Sequence, residues 1–197
     1  MTRIARLRIT LDDVTPAVVR LIEVPLSIRL DDLHLVIQVV MGWENYHLYE
    51  FRLDDMAWGI LDPDGVFTDD DPLPAKKATL ADLIAGGNTT AFQYAYDFGD
   101  GWEHTVVVEA IADADPGVVY PRLVTAEGQC PPEDVGGPWG YAEYLEAIND
   151  PQHERHDEMI EWRGPGFDPS AIDAAAIAKE LAALAKRFSR RKGRTAK

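Results

Sequence analysis

Apolar and polar residues alternate along much of the first half of the chain, which is the pattern of half-buried strands. Residues 3–11 and 18–24 flank the turn-rich sequence DDVTP and therefore predict an antiparallel hairpin. The alternation returns over residues 47–53, and it is clearest at 90–97 and 102–111, in the segments TAFQYAYD and WEHTVVVEAI. The short segment MAWGIL predicts one further strand.

Helical spacing first appears after the early hairpin. Leu30, Leu33, Ile37 and Val40 fall on one face of a predicted helix, and Gly42 follows in the position of a C-cap. This helix separates the first hairpin from the later strands.

The remaining helices are predicted mostly in the second half. TLADLIAGG predicts a short helix with Thr79 as N-cap and Asp82 three residues later. YAEYLEAIND and HERHDEMIEW predict two helices separated by Pro151. The alanine-rich segment DPSAIDAAAIAKELAALAKRFSRR predicts the longest helix, with Asp168 or Ser170 near its cap.

The order of these elements predicts the fold class. Strands come first and helices mostly later, which favours an α+β fold with a mainly antiparallel sheet built from hairpins. Residues 62–74 and 120–140 are rich in proline and glycine and predict irregular connections. We expect one domain over residues 1–185, followed by a basic, frayed tail at 186–197.

Composition narrows the class of protein. The chain of 197 residues is 46% hydrophobic and 27% charged, as in ordinary globular proteins. No apolar run is long enough to span a bilayer, and the N-terminal residues lack a secretory apolar core. The lone cysteine, Cys130, excludes an internal disulfide, so we expect a cytoplasmic protein.

Charge is distributed unevenly along the chain. All 34 acidic residues precede position 186, but only 12 of the 19 lysines and arginines do, which gives residues 1–185 a net charge of −22. The last twelve residues carry +7. The acidic body should repel nucleic acid, whereas the tail could bind an acidic partner or nucleic acid, or be a solvated helix end. A membrane partner is not expected, and a protein partner stays open.

The densest polar chemistry lies in the sequence YDFGDGWEH, residues 96–104. A three-residue loop of Gly99, Asp100 and Gly101 would join the aromatic positions of the two strands on one face. The same register would place Asp97 opposite Glu103, where like charges destabilise a sheet. A cation, an arginine, a proton or backbone N–H donors could compensate for this repulsion.

Each of these residues also has a structural interpretation. Asp97 or Asp100 can accept hydrogen bonds from turn amides, as aspartates often do. His104 can be a buried histidine, a metal ligand or a general base. His47 and Glu50 have the spacing of some metal sites, but residues three apart on a strand point to opposite faces.

Several motifs together resemble a known family. LHLVIQVVMGW, HLYEF, YDFGDGWEH, CPPEDVGGPWGY and the EW ending at Trp162 resemble the plasmid pRiA4b ORF-3-like family, over a stretch from about Arg3 to the final helix. The resemblance implies a single α+β domain found in bacteria and archaea on chromosomes, plasmids and mobile elements. It implies no established activity and therefore assigns no catalytic residue.

The CPPED segment adds a second group of candidates. Its two prolines stiffen a loop that carries Cys130, Glu133 and Asp134. If this loop folds over the hairpin, several carboxylates would converge and could bind Mg²⁺, Mn²⁺ or Ca²⁺. The alternative is a structural loop whose acids cap the next helix.

Two functions remain open from the sequence. The first is an interaction or accessory module of plasmid or mobile-element origin, since no complete catalytic set is evident. The second is a metal-assisted hydrolase or nuclease at the hairpin. Its candidate residues are Asp97, Asp100, Glu103, His104, Glu133 and Asp134, with His47, Glu50 and Cys130 as secondary candidates.

Overall fold

The computed structural model describes residues 2–60, 71–85 and 90–195, with side chains as far as residue 191. One sheet has the strands β1 (Arg3–Leu11), β2 (Val18–Pro25), β3 (Tyr49–Leu53), β4 (Met56–Gly59), β5 (Leu73–Pro74), β6 (Ala91–Tyr96), β7 (Trp102–Asp113) and β8 (Arg122–Glu127). The helices are α1 (Leu30–Met41), α2 (Leu80–Ala85), α3 (Gly137–Asn149), α4 (His156–Arg163) and α5 (Ala174–Thr195).

The sheet has eight strands in the order β5-β4-β3-β6-β7-β1-β2-β8. Every pairing is antiparallel except the short β4–β5 pair. The predicted α+β class, with one mainly antiparallel sheet, is therefore confirmed. Most of the predicted 62–74 loop, and the end predicted for α2, lie outside the described residues.

One face of the sheet forms the core. Leu7 and Ile9 of β1 and Val106 of β7 are fully buried on this face, as alternation along a strand requires. Helix α1 covers it with its apolar stripe, and His34 stacks on Tyr49 with 3.6 Å between the ring centroids. Each buried aliphatic side chain contributes about 2 kcal/mol, so this layer dominates stability.

The opposite face of the sheet carries ion pairs. Arg6 and Arg122 both bind the buried carboxylate of Glu23, at 2.7 Å and 2.5 Å. Arg8 binds Glu109 at 2.5 Å across the β1–β7 pairing. Because Glu23 is bound from both sides, its pKa is lowered despite its burial.

Of the two helix starts predicted from capping residues, that of α2 is confirmed and that of α5 is not. Asp82 accepts from the Thr79 amide at 2.9 Å, which confirms the predicted capping box of α2. The long helix α5 does not begin near Asp168 or Ser170 as predicted. Asp168 instead closes its own turn by accepting from the Ser170 amide at 2.8 Å, and Asp173 accepts from the Ala176 amide at the helix start.

Residues 186–195 form the last turns of α5. Phe188 packs against the core, and Arg191 forms an ion pair with Asp32 of α1. None of the helices in the described part of the chain is long and apolar enough to cross a membrane.

Residues 122–127 were predicted to be irregular, and that prediction is wrong. They form β8, which pairs with β2 at the sheet edge through Ile22 and Leu123. An edge strand has few buried positions, and only half-buried or exposed residues occur along β8. The alternation that identifies inner strands is therefore weak here.

The predicted register of the β6–β7 hairpin is also wrong. Tyr96 pairs with Trp102, so the loop has five residues, 97–101, and Asp97 does not face Glu103. A shift of two residues keeps the same side chains on the same face. Tyr96, Trp102 and His104 are accordingly buried together, but Phe98 is exposed in the loop.

Candidate functional site

Four polar side chains from three separate segments meet at one end of the sheet. His47 precedes β3, Asp97 follows β6, and Glu133 and Asp134 lie on the loop between β8 and α3. The Nε2 atom of His47 lies 3.0 Å from Asp134 Oδ1, 3.5 Å from Asp97 Oδ2 and 3.7 Å from Glu133 Oε2. We call these four residues the His47 cluster.

Asp97 is fixed by its own loop. Its backbone N–H donates to the Leu48 carbonyl at 2.9 Å, and its Oδ1 accepts from the Gly99 amide at 3.0 Å. Its φ of 53° lies in the left-handed region, which few side chains adopt outside such turns. With Oδ1 engaged, Oδ2 is the oxygen that faces His47.

Glu133 is held by two donors. Its Oε1 accepts from the Glu44 amide at 2.8 Å and from the Tyr96 hydroxyl at 3.1 Å. Burial and the charge of Glu133 raise the pKa of Tyr96, which keeps the phenol protonated as a donor. The Tyr96 oxygen in turn accepts from the Tyr46 amide at 3.1 Å, which ties the segment before His47 to this strand.

The 130–137 loop closes over the β6–β7 hairpin, which is one of the two arrangements that the sequence allows. Trp43 Nε1 donates to the Pro131 carbonyl at 3.1 Å, and the Gly136 amide donates to Asp100 Oδ2 at 3.1 Å. Gly137 packs so tightly that a Cβ there would lie 2.2 Å from the Asp100 carbonyl oxygen. Only glycine permits this approach, so the loop position depends on it.

Three residues of the His47 cluster lie close enough together that they could hold a metal ion. One ligand atom each from His47, Asp97 and Asp134 lies within 4.8 Å of the others. Ligand atoms about 2.0–2.2 Å from a tetrahedral metal are roughly 3.3–3.6 Å apart, close to the distances in the cluster. His47 Nε2 is closed off from solvent and makes no well-aligned hydrogen bond with the described residues.

The donor set also selects among metals. An imidazole nitrogen with two carboxylates suits Zn²⁺, Fe²⁺ or Mn²⁺ better than Mg²⁺ or Ca²⁺, which prefer oxygen alone. Asp134 is exposed on one side, whereas Asp97 is buried. Three protein ligands with one open side are typical of catalytic metal sites.

The other sequence candidates have separate places. Asp100 holds the loop rather than facing His47. Glu103 forms an ion pair with Arg52 on the outer face, and Glu50 lies 3.7 Å from the same arginine. Neither carboxylate joins the cluster.

His104 and Cys130 are buried near the site without belonging to it. His104 Nδ1 donates to the Tyr94 carbonyl at 3.0 Å, and burial lowers its pKa to about 4. Burial raises the pKa of the Cys130 thiol, so it is not a reactive thiolate. Sequence reasoning missed Tyr96 as the residue that orients Glu133, although it directly precedes Asp97.

Comparisons with known proteins agree with the fold. A family model described as plasmid pRiA4b ORF-3-like protein matches residues 3–176. The uncharacterized protein y4hQ of Sinorhizobium fredii (strain NBRC 101917 / NGR234) is 44% identical over 189 residues, 95% of either chain. A crystal structure of MM3350, a protein of unknown function from Methanosarcina mazei Go1, is similar with a TM-score of 0.78 and 35% identity, covering 89% of this chain and 97% of that one.

Proposed function

This chain belongs to the plasmid pRiA4b ORF-3-like family, and we propose that it binds one divalent transition-metal ion at the His47 cluster and uses it for hydrolysis. The observation that carries the proposal is the environment of His47 Nε2. This nitrogen is closed off from solvent and has no aligned hydrogen bond with any described residue, yet it lies 3.0 Å from an Asp134 oxygen and 3.5 Å from an Asp97 oxygen.

His47, Asp97 and Asp134 are the proposed ligands, and the exposed side of Asp134 leaves room for water. A metal held by these ligands would lower the pKa of a bound water to about 7, and that water could then attack an ester or amide carbonyl. Glu133 lies beside the ligands with its carboxylate already oriented by Tyr96, so it is the proposed general base. Its second oxygen, Oε2, is the one nearer to His47.

Charge restricts the substrates of such a site. Residues 1–185 carry a net charge of −22, which repels a polyphosphate backbone. A nuclease is therefore disfavoured, and neutral or cationic esters and amides are favoured substrates.

The metal-binding step is tested by thermal unfolding of chelator-treated protein. Adding Zn²⁺ or Mn²⁺ at about 100 times the dissociation constant should stabilise the fold by about 2.7 kcal/mol, which raises Tm by roughly 5–10 °C. Mg²⁺ and Ca²⁺ should give smaller shifts because a histidine is among the ligands.

Asp134→Asn should remove most of the Zn²⁺-dependent shift, since a neutral amide is a weaker ligand than a carboxylate. The matched control is Asp13→Asn. Asp13 is also exposed and has the same left-handed φ of 59°, but it lies in the β1–β2 turn. Equal metal responses of the two variants would contradict the proposal.

The second candidate function is that of an interaction or accessory module of plasmid or mobile-element origin. Three aromatic side chains on the segments that carry the cluster are exposed: Tyr46 by 71%, Phe98 by 57% and Trp139 by 89%. Exposed aromatics of this kind are enriched at protein interfaces. Metal binding without hydrolysis of any ester or amide would favour this candidate, with the metal as a structural element.

A further inference from the structure

A separate cavity of about 880 Å³ lies behind the 129–133 loop. Its walls come from the end of α1, this loop, the segment between α4 and α5, and the first turns of α5. Glu133 belongs to the His47 cluster and also lines the cavity, but its carboxylate accepts hydrogen bonds from the Tyr96 hydroxyl and the Glu44 amide. The volume is in the range that holds small organic ligands.

A buried arginine lines this cavity. Arg20 of β2 lies on the core face among apolar residues and is only 1% exposed. Its Nε donates to the Val40 carbonyl at 2.6 Å, and its Nη1 donates to the carbonyls of Val19 and Glu127. Within the part of the chain that the structure describes, its Nη2 makes no hydrogen bond and no carboxylate forms an ion pair with it.

This arrangement leaves a positive charge without a counterion. A guanidinium remains protonated in proteins, so Arg20 cannot relieve its burial by losing a proton. A buried charge is costly unless it is paired, and the nearby thiol of Cys130 has a raised pKa and stays neutral. The open hydrogen-bonding position on Arg20 therefore suits an anion.

A second donor in the cavity also lacks a partner. Tyr144 of α3 is 1% exposed and lines the cavity, and its hydroxyl is buried without a hydrogen bond among the described residues. Burial raises the pKa of Tyr144, which keeps the hydroxyl protonated. Arg163, an exposed cavity residue, has no ion pair with the described residues either.

The rest of the lining limits the ligand. Pro131, Phe167 and Ile177 form an apolar part of the walls. The exposed acids that line the cavity, Glu44, Asp173 and Glu180, would repel a multiply charged ligand approaching its mouth. One negative charge on an otherwise apolar molecule fits both features.

We propose that this cavity binds a small ligand whose anionic head, a carboxylate or a phosphate, contacts Arg20 Nη2 and the Tyr144 hydroxyl. The apolar remainder of the ligand lies along the walls. This binding does not require a metal at the His47 cluster, so the two sites can be tested separately.

The test is isothermal titration of metal-free, desalted protein with benzoate, phenyl phosphate and neutral benzamide at constant ionic strength. These probes share a phenyl ring and differ in the head group. We expect one benzoate per chain, weaker binding of phenyl phosphate because of its second charge, and binding of benzamide at least about tenfold weaker than benzoate. Phenyl phosphate tighter than benzoate would identify phosphate as the preferred head.

Tyr144→Phe should lower the affinity for benzoate about tenfold, since it removes one hydrogen bond to a charged group. It should not lower Tm in the absence of ligand, because the hydroxyl has no partner to lose. The matched control is Tyr141→Phe, on the same helix. Its hydroxyl is also buried and has no hydrogen-bond partner in the described ranges, but Tyr141 does not line the cavity.

The proposal is overturned if neither benzoate nor phenyl phosphate shows saturable binding. It is also overturned if Tyr144→Phe and Tyr141→Phe both bind these probes with the wild-type affinity. Arg163→Gln provides an independent check at an exposed position. It should weaken benzoate by a few-fold through the lost charge, whereas Arg190→Gln, outside the cavity, should have no effect.

Discussion

Two buried histidines show how the interior determines protonation. His34 Nδ1 accepts from the Tyr94 hydroxyl at 2.7 Å, and its Nε2 donates to Asn45 Oδ1 at 2.5 Å. His104 donates to the Tyr94 carbonyl. Burial lowers the pKa of each to about 4, so both are neutral in the folded protein near pH 7.

These histidines predict a loss of stability in mild acid. The unfolded chain gains protons as pH falls through 6.5, whereas His34 and His104 in the folded chain do not until about pH 4. Their stabilising effect is therefore complete above pH 6.5 and declines between 6.5 and 4. The loss between pH 7 and 5 should be on the order of 2 kcal/mol for each histidine.

Urea unfolding at pH 7 and pH 5 measures this effect. His104→Leu should be less sensitive to pH than wild type, because it removes one of the two groups. His153→Gln, at a half-buried position outside the core, should keep the wild-type sensitivity. A His104→Leu profile parallel to wild type would show that another group controls the acid response.

Only some of the residues of the His47 cluster could be predicted as main candidates from the sequence. Asp97, Glu133 and Asp134 were candidates because they lie in dense polar motifs, and all three join the cluster. His47 was only a secondary candidate. Its pairing with Glu50 was considered from local spacing, but its actual neighbours come from positions 97 and 133–134, which no local pattern connects.

At the scale of elements, the site depends on contact between two loops. The 97–101 loop of the hairpin and the 130–137 loop meet through the Asp100 carboxylate and the Gly136 amide. Gly137, with φ of 70°, lies directly against the Asp100 backbone. This contact places Glu133 and Asp134 opposite Asp97.

Gly137→Ala should disrupt that contact. Its Cβ would lie 2.2 Å from the Asp100 carbonyl oxygen, so the loops must separate. We expect a loss of stability above about 2 kcal/mol, beyond the 1 kcal/mol that a left-handed alanine costs alone. Metal affinity should fall as well, because the ligands no longer face each other.

Gly117→Ala is the matched control, measured by urea unfolding and zinc titration. Gly117 has a similar φ of 79°, but nothing lies within 4 Å of the position its Cβ would take. It should show only the conformational cost and normal zinc affinity. Similar zinc affinity in both variants would mean that the loop contact does not organise the cluster.

The hairpin shows what periodicity can and cannot predict for an element. Alternation identified which residues of β6 and β7 share the buried face, because that choice depends only on a period of two. It did not identify the register, because a five-residue loop closed by Asp97 gives the same face as the shorter loop. The edge strand β8 was missed for lack of buried positions.

For the whole molecule, charge determines which partners are expected. Residues 1–185, with a net charge of −22, should repel nucleic acid. The last twelve residues carry +7, but one of these positive charges, on Arg191, is already paired with Asp32. We therefore expect duplex DNA to bind more weakly than about 100 µM at 150 mM salt.

Fluorescence anisotropy with labelled duplex at two salt concentrations tests this expectation. The comparison variant replaces Lys186, Arg187 and Arg190 with glutamine and leaves Arg191 in place. Tight, salt-dependent binding that is lost in this variant would assign a nucleic-acid role to the end of α5.

The proposed hydrolysis requires that the His47 cluster coordinates a metal ion. The most direct measurement is an anomalous difference map from crystals grown with Zn²⁺, recorded at the zinc absorption edge. We predict one strong peak about 2.0–2.2 Å from His47 Nε2 and from the facing oxygens of Asp97 and Asp134. A map without density there, at zinc concentrations that saturate the protein in solution, would show that the His47 cluster does not coordinate the metal.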